Sequence, residues 1–477
     1  MEKEIKYIFV DLDGTLVRTD VFLESVLKLI KQNPFAIFKL ILWTFQGRSV
    51  VKERVAKLVD INPESLPYET ELIDYLKEQK KQNKTIVLAT ASNEAYANKI
   101  AKYLGIFDKV IASTKYNNLK GENKLSAIHE IVGDTPFIYA GDSSADRPIW
   151  KEASANIFVN APRSDVETAK AQGKAEKVIA SRSTAHEFFK EMRVHQYAKN
   201  ILIIVPLLTA HQYLDVTSIF AAILAFLSFS LCASGVYFLN DMLDLDVDRQ
   251  HKIKCHRPLA SGRLPLSIGI MGAVGMPLFA FILAWFLLPI SFFGVLLFYY
   301  LLTSAYTFVL KRISTMDVMI LAILYTLRIV AGSEAIGVEL SSWLLAFSVF
   351  VFVSLAYLKR YIEIASFSES SEKAHGRGYS SDDAETMFIL GVSNITASVL
   401  VMALYINSSE VSALYESPSI LWGLCWLMLY WGNRIWVGAR RGKITDDPVV
   451  FAIKDKVSRI LGLGFVAVII AAKHINL

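Results

Sequence analysis

The sequence predicts an α/β domain with a helical cap, followed by an all-α polytopic membrane domain of about nine transmembrane helices. Three observations predict this architecture. The chain has 477 residues, more than one ordinary core accommodates. Short apolar strands alternate with helical stretches over its first 185 residues. Beyond residue 200, apolar runs of about 18–25 residues follow one another, each long enough to cross a hydrocarbon core as a helix.

The α/β domain is expected to span residues 1–185, with strands at 7–10, 85–89, 109–112, 137–140 and 156–159. Helical segments between the strands predict a parallel sheet with helices on both faces. Residues 17–80 carry helical pattern only and are expected to cap the site. Within them, residues 35–45 are strongly apolar. They form either the core of the cap or a surface that rests on the membrane or on the second domain.

The membrane domain is expected to span residues 186–477. Its nine candidate spans are residues 200–213, 217–239, 266–288, 291–310, 316–336, 341–358, 386–407, 417–436 and 457–474. Loops rich in Lys and Arg (240–265, 311–315, 359–385 and 437–456) alternate with loops that contain neither (214–216, 289–290, 337–340 and 408–416). The positive-inside rule therefore places the rich loops in the cytoplasm of a multi-pass inner-membrane protein. The N-terminus lacks a signal-peptide pattern, so the α/β domain is expected on the same side.

Composition argues against several classes of function. The net charge is only +5, and no basic stripe interleaved with aromatic residues is present, so no nucleic-acid partner is expected. Cys232, Cys255 and Cys425 form no CxxC pair, which argues against a zinc site and a disulfide framework. Oligomeric state stays open, a homo-oligomer included.

Catalytic candidates in the α/β domain stand at the ends of predicted strands, where α/β sheets bind ligands. They are Asp11 and Asp13 in Asp-Leu-Asp-Gly-Thr, Thr90 after the second strand, Lys124, and Asp142 and Asp146 in Gly-Asp-Ser-Ser-Ala-Asp. Asp11 can attack a phosphoryl group. Asp13 can protonate the leaving oxygen and later activate water. Gly14, directly after Asp13, lets the backbone approach a phosphate.

These motifs resemble the haloacid dehalogenase superfamily of phosphatases, whose domains are Rossmann-like α/β folds. The resemblance covers residues 5–185. It implies that Asp11 is the nucleophile and Asp13 the acid/base, and that Thr90 and Lys124 hold the phosphoryl group. It also implies that Mg²⁺ is bound at this site. The implied metal residues are Asp11, Asp13, Asp142 and Asp146.

A second acidic cluster follows the second predicted span, in Asn240-Asp241-Met-Leu-Asp244-Leu-Asp-Val-Asp248. On a continuous helix Asp241, Asp244 and Asp248 would share one face, with Asp246 on the other side. Carboxylates stacked on one face repel unless cations bridge them, and Mg²⁺ carrying a diphosphate is a natural ligand. Basic residues that can meet phosphate oxygens come next, namely His251, Lys252, Lys254, His256 and Arg257.

This cluster, with Arg257-Pro-Leu-Ala-Ser-Gly after it, resembles the UbiA-type intramembrane prenyltransferase superfamily over about residues 190–477. Aromatic prenyltransferases of that superfamily carry a second aspartate motif after span six, where this chain has Lys359 and Arg360. Other segments resemble the decaprenyl-phosphate phosphoribosyltransferase branch. They are Arg193-Val-His-Gln-Tyr-Ala-Lys-Asn, His251-Lys-Ile-Lys, Tyr306-Thr-Phe-Val-Leu-Lys, Arg328-Ile-Val-Ala-Gly, Lys359-Arg-Tyr, and Asp447-Pro with Asp455.

That resemblance implies phosphoribosyl diphosphate as donor and a polyprenyl phosphate as acceptor. Asp241, Asp244 and Asp248 would hold Mg²⁺ and the diphosphate. Candidates for binding the phosphates of the two substrates are Lys199, Asn240, Lys254, Arg257, Tyr306, Lys311, Lys359 and Arg360. Each basic residue among them has an alternative role as an ordinary topology anchor.

Three hypotheses follow from the sequence. In the favoured one, the membrane domain makes polyprenyl-phosphoryl-5-phosphoribose and the α/β domain removes the 5-phosphate. In the second, a prenyl diphosphate is the donor to an aromatic or other acceptor, and the phosphatase acts on a separate phosphomonoester. In the third, the α/β domain is a regulatory module that senses phosphorylated metabolites without hydrolysing them.

Overall fold

The computed structural model describes residues 5–114, 117–179, 184–365, 379–444 and 447–475. They form two compact units, one of residues 1–192 with 237–273 and the other of residues 193–236 with 274–477. The segment 237–273, which carries the second acidic cluster, thus packs with the N-terminal domain. The sequence alone predicts a boundary at residue 185, with this segment in the membrane domain.

A six-stranded sheet forms the centre of the first unit. Its strands are β1 Tyr7–Val10, β2 Thr85–Asn93, β3 Lys109–Ser113, β4 Phe137–Gly141, β5 Ala155–Val159 and β6 Ala175–Ile179. They are parallel throughout and lie in the order β3-β2-β1-β4-β5-β6. The direction of winding reverses between β1 and β4, which opens a crevice at the carboxyl ends of these two strands. The α/β prediction is confirmed, with β6 as an additional edge strand.

Helices cover both faces of this sheet. They are α1 Val21–Gln32, α2 Ala36–Thr44, α3 Arg48–Leu58, α4 Thr70–Lys81, α5 Glu94–Leu104, α6 Glu122–Val132, α7 Arg147–Glu152, α8 Arg163–Ala171 and α9 Thr184–Glu191. Alternate strand residues face opposite cores, because side chains of a strand alternate in direction. Ile8 and Val10 of β1 meet α4 and α5, whereas Phe9 packs with residues of α6 and α7.

Three helices of the predicted cap region form a cluster of their own. Buried residues Leu29 of α1, Leu40 of α2 and Val55 of α3 pack together. By contrast, Leu72 and Leu76 of α4 pack with the sheet. The region 17–80 thus contains a three-helix cap and one helix of the sheet layer.

The remaining helices are α10 Val205–Thr209, α11 Val216–Leu243, α12 Leu245–Gln250, α13 Leu266–Leu287, α14 Ile290–Phe308, α15 Met316–Ile336, α16 Ser342–Ala365, α17 Asp383–Ile406, α18 Ser409–Leu414, α19 Trp422–Arg440, α20 Pro448–Lys454 and α21 Lys456–His474. Residues of α15, α16, α17 and α19 form the main core of the second unit. Tyr325, Phe352, Leu358 and Trp436 are among its buried members.

Among the described residues, seven helices are long and apolar enough to cross a membrane: α11, α13, α14, α15, α16, α17 and α21. They correspond to seven of the nine candidate spans of the sequence. Residues 200–213 form a 3₁₀ segment, Val194–Ile204, and the five-residue α10, which together make no helix of spanning length. The predicted span 417–436 forms the 3₁₀ turn Pro418–Leu421 and α19, whose apolar sequence is interrupted by Asn433 and Arg434.

Candidate functional site

The first candidate site lies where β1 and β4 end side by side. The backbone N–H of Asp11 donates to the carbonyl oxygen of Ala140 at 3.0 Å, so the strand pairing continues up to the first motif residue. Gly14 has a φ of +77°, and a Cβ atom there would lie 2.2 Å from a carboxylate oxygen of Asp142. Glycine is therefore required where the loop after β1 meets the loop after β4.

A buried lysine lies beside the proposed nucleophile. The Lys124 ammonium is 2.9 Å from Asp11 Oδ2 and 3.4 Å from Asp146 Oδ1. It also donates to the Tyr139 hydroxyl at 2.9 Å, and Tyr139 donates to Asp146 at 2.7 Å. Tyr139 is a residue that the sequence did not single out. It sits in an ordinary apolar strand pattern, which gives no signal that its hydroxyl would hold two charged groups.

Asp13 is oriented by two donors. Its carboxylate accepts from the Val21 N–H at 2.8 Å and from the Ser92 hydroxyl at 2.5 Å. Thr90 is fully buried in β2, and its hydroxyl accepts from the Ser92 N–H at 2.9 Å. Ser92 was not predicted, although its place two residues after Thr90 at the end of the same strand was a usable signal.

The carboxyl groups of this site are destabilised in their charged forms. Burial, opposed by Lys124, raises the pKa of Asp11 to about 6. Burial and the neighbouring Asp20 raise the pKa of Asp13 to about 7. Burial, with repulsion from Asp11 and Asp146, raises the pKa of Asp142 to about 8. A nearby cation would relieve this cost by favouring the ionised carboxylates.

The same acids fit a divalent metal ion. Asp11, Asp142 and Asp146 each offer a carboxylate oxygen, and these oxygens lie within 4.8 Å of one another. Oxygen-only donor sets suit Mg²⁺. The Asp13 carboxylate lies outside this group and faces Ser92, an arrangement that leaves it available for proton transfer.

A cavity of 340 Å³ adjoins the site between the cap and the sheet domain. Phe22, Thr44 and Lys52 from the cap line it, together with Asn93 and Lys120 from the sheet domain. Two lysines in its wall favour an anionic substrate. Asn93 follows Ser92 directly, so the cavity borders the side of the site that holds Asp13.

The second acidic cluster does not lie on one continuous helix. α11 ends at Leu243 and α12 begins at Leu245, while Asp244 between them has a non-helical backbone. The expected single helical face is corrected accordingly. Asp241 and Asp248 nevertheless meet, because Arg257 bridges them at 3.0 and 2.5 Å. Both carboxylates are 2% exposed. Burial raises the pKa of Asp248 against the attraction of Arg257 and Lys254, so a further cation would favour its charged form.

Asp244 and Asp246 are paired with lysines of the cap. Lys31 of α1 lies 3.0 Å from Asp244, and Lys28 lies 3.1 Å from Asp246. Nearby, Arg249 forms a buried double contact with Glu24 of α1, at 2.5 and 3.0 Å. The acidic segment is thus held by a helix of the phosphatase-like domain.

Gly262 and Arg263 attach the following loop to the same domain. Gly262 has a φ of +69°, and a Cβ there would lie 2.5 Å from the carbonyl oxygen of Arg18. Arg263 lies 3.3 Å from the fully buried Glu187 of α9. The motif after Arg257 therefore packs directly on the loop that follows the first catalytic strand.

Replacing Glu24 by Ala is expected to destabilise the first unit by about 3 kcal/mol, because Arg249 stays buried without its carboxylate partner. Lys28→Ala is the matched control on the same helix, since its partly exposed pair with Asp246 contributes at most about 1 kcal/mol. Thermal unfolding of the full chain in detergent measures both. Equal melting temperatures for the two variants would contradict the role given to the buried pair.

Basic residues of the second unit surround two other carboxylates. Lys199 and Lys359 both contact Asp447 Oδ2, at 2.7 and 3.1 Å. Although burial favours the neutral acid, these two lysines hold the pKa of Asp447 well below its ordinary value. Their shared contact with Asp447 brings together two candidate phosphate-binding residues that lie far apart in the sequence.

Arg360 is 1% exposed and lies 2.6 Å from Asp317. It also contacts Glu363 and donates to the Tyr306 hydroxyl at 3.3 Å. Asp317 was not predicted, since a single acid at the start of an apolar helix carries no motif. Both Lys359 and Arg360 belong to α16, which runs to Ala365 and so extends into the predicted loop.

Three other candidate phosphate-binding residues lie apart from these ion pairs. The Asn240 amide contacts Asp241 at 3.5 Å in the first unit. Lys254 begins a 3₁₀ turn in the loop after α12, and Lys311 lies in a 3₁₀ turn after α14. The Ser/Glu-rich stretch 366–378 lies outside the described residues.

Arg328 is a buried group whose local packing the sequence did not reveal. It donates to Asn200 at 2.8 Å and lies among the rings of Phe229, Tyr299 and Tyr325 at 5.3–5.4 Å.

Two family models match the chain. The UbiA prenyltransferase family matches residues 201–440, and the haloacid dehalogenase-like hydrolase family matches residues 8–151. An uncharacterized protein of Sinorhizobium fredii, y4nM, is 35% identical over 95% of this chain and 88% of its own length.

Two further comparisons each cover 59% of this chain. Decaprenyl-phosphate phosphoribosyltransferase of Mycobacterium tuberculosis is 28% identical over 59% of this chain and 93% of that protein. A solved UbiA homolog from Archaeoglobus fulgidus, bound to GPP and Mg²⁺, is 16% identical with a TM-score of 0.47, covering 59% of this chain and 99% of that one.

Proposed function

The chain belongs to the UbiA prenyltransferase family and carries a haloacid dehalogenase-like hydrolase domain ahead of it, and on this basis we propose a two-step enzyme. The membrane part transfers phosphoribose from phosphoribosyl diphosphate to a polyprenyl phosphate. The N-terminal domain then removes the 5-phosphate of the product. The observation that carries this proposal is the packing of Asp241, Asp248 and the phosphatase-type site within one compact unit.

The choice of donor rests on the basic residues and on the relatives. Lys359 and Arg360 stand where aromatic prenyltransferases carry a second aspartate motif. Several relatives at 26–28% identity are named decaprenyl-phosphate phosphoribosyltransferase. A donor and an acceptor that both carry phosphate need more cationic partners than a prenyl diphosphate and a neutral acceptor do.

In the transfer step, Asp241 and Asp248 would hold Mg²⁺, which would neutralise charge on the departing diphosphate. Asp244 would join them on leaving its contact with Lys31. Arg257 already lies between Asp241 and Asp248 and is placed to bind diphosphate oxygens. The remaining candidates bind the sugar 5-phosphate and the lipid phosphate: Lys199, Asn240, Lys254, Tyr306, Lys311, Lys359 and Arg360. Asp447 and Asp317 hold Lys199, Lys359 and Arg360 in place for this task.

In the hydrolytic step, Asp11 attacks the phosphorus atom and the bond to the sugar oxygen breaks. Asp13, with a pKa of about 7, protonates that oxygen as it leaves. It then takes a proton from the water that hydrolyses the aspartyl-phosphate. Thr90 and Lys124 hold the phosphoryl oxygens throughout. Asp11, Asp142 and Asp146 would hold a Mg²⁺ ion, which would further neutralise the phosphate charge.

Both sites are proposed to act at the cytoplasmic face of the inner membrane. The loops rich in Lys and Arg support this orientation. In that arrangement the product of the first step forms on the side where the phosphatase domain lies. Attachment of both activities to one chain raises the local concentration of the intermediate at the second site.

A two-donor assay tests the transfer. Purified full-length protein in lipid nanodiscs receives labelled phosphoribosyl diphosphate with polyprenyl phosphate, or a labelled prenyl diphosphate with an aromatic acid. Label is expected in the lipid phase as a ribosylated polyprenyl phosphate in the first reaction only. Label transfer to the aromatic acid would instead establish the prenyltransferase alternative.

A further inference from the structure

Helix α2 of the cap has two apolar faces. Ala36, Leu40 and Trp43, spaced by four and three residues, pack into the cap against α1 and α3. The opposite face is also apolar. An amphipathic helix on a water-exposed surface normally turns polar side chains outward, so the second face calls for a partner.

The second face, with Phe35 before it, is widely exposed. Phe35, Phe38 and Phe45 are 76%, 64% and 86% exposed, and Ile41 and Leu42 are 52% and 62% exposed. A contiguous group of large apolar side chains of this kind marks an interaction surface. We name it the α2 surface: Phe35, Phe38, Ile41, Leu42 and Phe45.

The start of α2 lies close to the end of a membrane span. Lys31 contacts Asp244, which directly follows α11. Phe35 is the fourth residue after Lys31, so their Cα atoms lie at most about 14 Å apart. With 28 residues, α11 is about 42 Å long, longer than a hydrocarbon core of about 30 Å. Its end at Leu243 therefore reaches the lipid head groups, and α2 begins within a short distance of them.

The charge of α2 agrees with a membrane surface. Lys39 is its only charged residue and is exposed, and no acid occurs between Phe35 and Phe45. A single positive charge among large apolar side chains suits anionic head groups above an acyl layer.

We propose that the α2 surface inserts into the bilayer leaflet next to the end of α11. The partner is the lipid itself, because the same compact unit already contains the ends of two membrane helices, α11 and α13. Insertion of interfacial helices reaches about 5–10 Å, into the boundary between head groups and acyl chains.

This placement gives the phosphatase a route to a lipid-linked substrate. Thr44, the last residue of α2, lines the 340 Å³ cavity together with Val51 and Lys52 of α3. A phosphorylated head group is thereby able to enter the cavity while its polyprenyl chain stays in the bilayer. This part rests on the proposed function; the insertion of α2 does not.

Spin labels test the insertion in the full-length protein in nanodiscs. Phe38→Cys carries the label in a Cys255→Ser background, and Cys232 and Cys425 are buried. Lys170→Cys, exposed on α8 of the same domain, is the control site. The ratio of oxygen to nickel-chelate accessibility is expected to be several-fold higher at residue 38. Equal ratios, or dipolar broadening that shows a second copy on the α2 surface, would overturn the proposal.

Hydrolysis tests the consequence. The double variant Phe38→Asp, Leu42→Asp is expected to accumulate 5-phosphorylated lipid several-fold while hydrolysing soluble p-nitrophenyl phosphate at the normal rate. Leu58→Asp, at a 57% exposed position elsewhere in the cap, is the matched control and is expected to change neither. If the label at residue 38 is exposed to water, the insertion of α2 is refuted, but the two-step function is not affected. If the wild-type protein makes no ribosylated lipid, the proposed function is refuted, but the insertion is not affected.

Discussion

Asp11→Asn is expected to lower phosphate release by at least about 10³-fold, because the amide cannot form the phosphoryl intermediate that the reaction requires. The variant retains the size of the side chain. Lys124 keeps its contacts with Asp146 and Tyr139, so the site should stay folded. The transfer reaction is expected to continue, and 5-phosphorylated lipid should replace the dephosphorylated product.

Thin-layer or mass-spectrometric analysis of the labelled lipid measures this change. Asp74→Asn is the matched control, since Asp74 is exposed on α4 of the same domain. Unchanged lipid products in Asp11→Asn would separate the two activities and refute the coupled pathway. Unchanged hydrolysis of p-nitrophenyl phosphate would remove Asp11 from the role of nucleophile.

The second large effect is expected for Asp241→Asn, which should reduce transfer at least about 10²-fold. Asp241 is 2% exposed and shares Arg257 with Asp248. Its replacement removes one negative oxygen donor for a cation and frees Arg257 to pair with Asp248 alone. Hydrolysis of p-nitrophenyl phosphate should remain normal, because Asp11 and Lys124 are untouched.

Asp246→Asn provides the comparison within the same segment. Asp246 contacts Lys28 at the surface and stands apart from the Arg257 bridge. We expect its transfer rate to stay within about twofold of wild type, in line with the small contribution of exposed ion pairs. Equal losses in Asp241→Asn and Asp246→Asn would point to disruption of the segment as a whole. Full activity in Asp241→Asn would remove it from the site.

The phosphatase-type site was largely predictable because its chemistry follows strand ends. The expected strands lie within or match β1 to β5, and the topology brings Asp11 and Asp142 together at adjacent strands. The additional strand β6 escaped prediction because it is a short edge strand in which two adjacent charged residues, Glu176 and Lys177, interrupt the apolar pattern. Tyr139 and Ser92 escaped because their roles depend on contacts across the sheet, not on a local motif.

The membrane part was predictable in kind but less so in detail. In the part of the chain that the structure describes, seven helices meet the requirements of length and composition. They were predictable because a long apolar run indicates directly that a helix lies in a hydrocarbon environment. Residues 200–213 have an apolar composition yet fold as a 3₁₀ segment and a short helix. The apolar composition of a segment predicts that it avoids water. Whether its backbone forms a long helix depends on the residues that pack against it.

The sequence by itself determined the two classes of domain, the order of the phosphatase motifs and the candidate membrane helices. The tertiary structure alone decided how distant charges pair. Asp244 turns to Lys31, 213 residues earlier in the chain, and Arg360 is buried against Asp317. The physical reason lies in the range of the forces involved. Local periodicity in the sequence indicates which secondary structure a segment prefers and which of its faces is buried. The partner of a buried charge depends instead on the path of the whole chain, which brings opposite charges together where water is excluded.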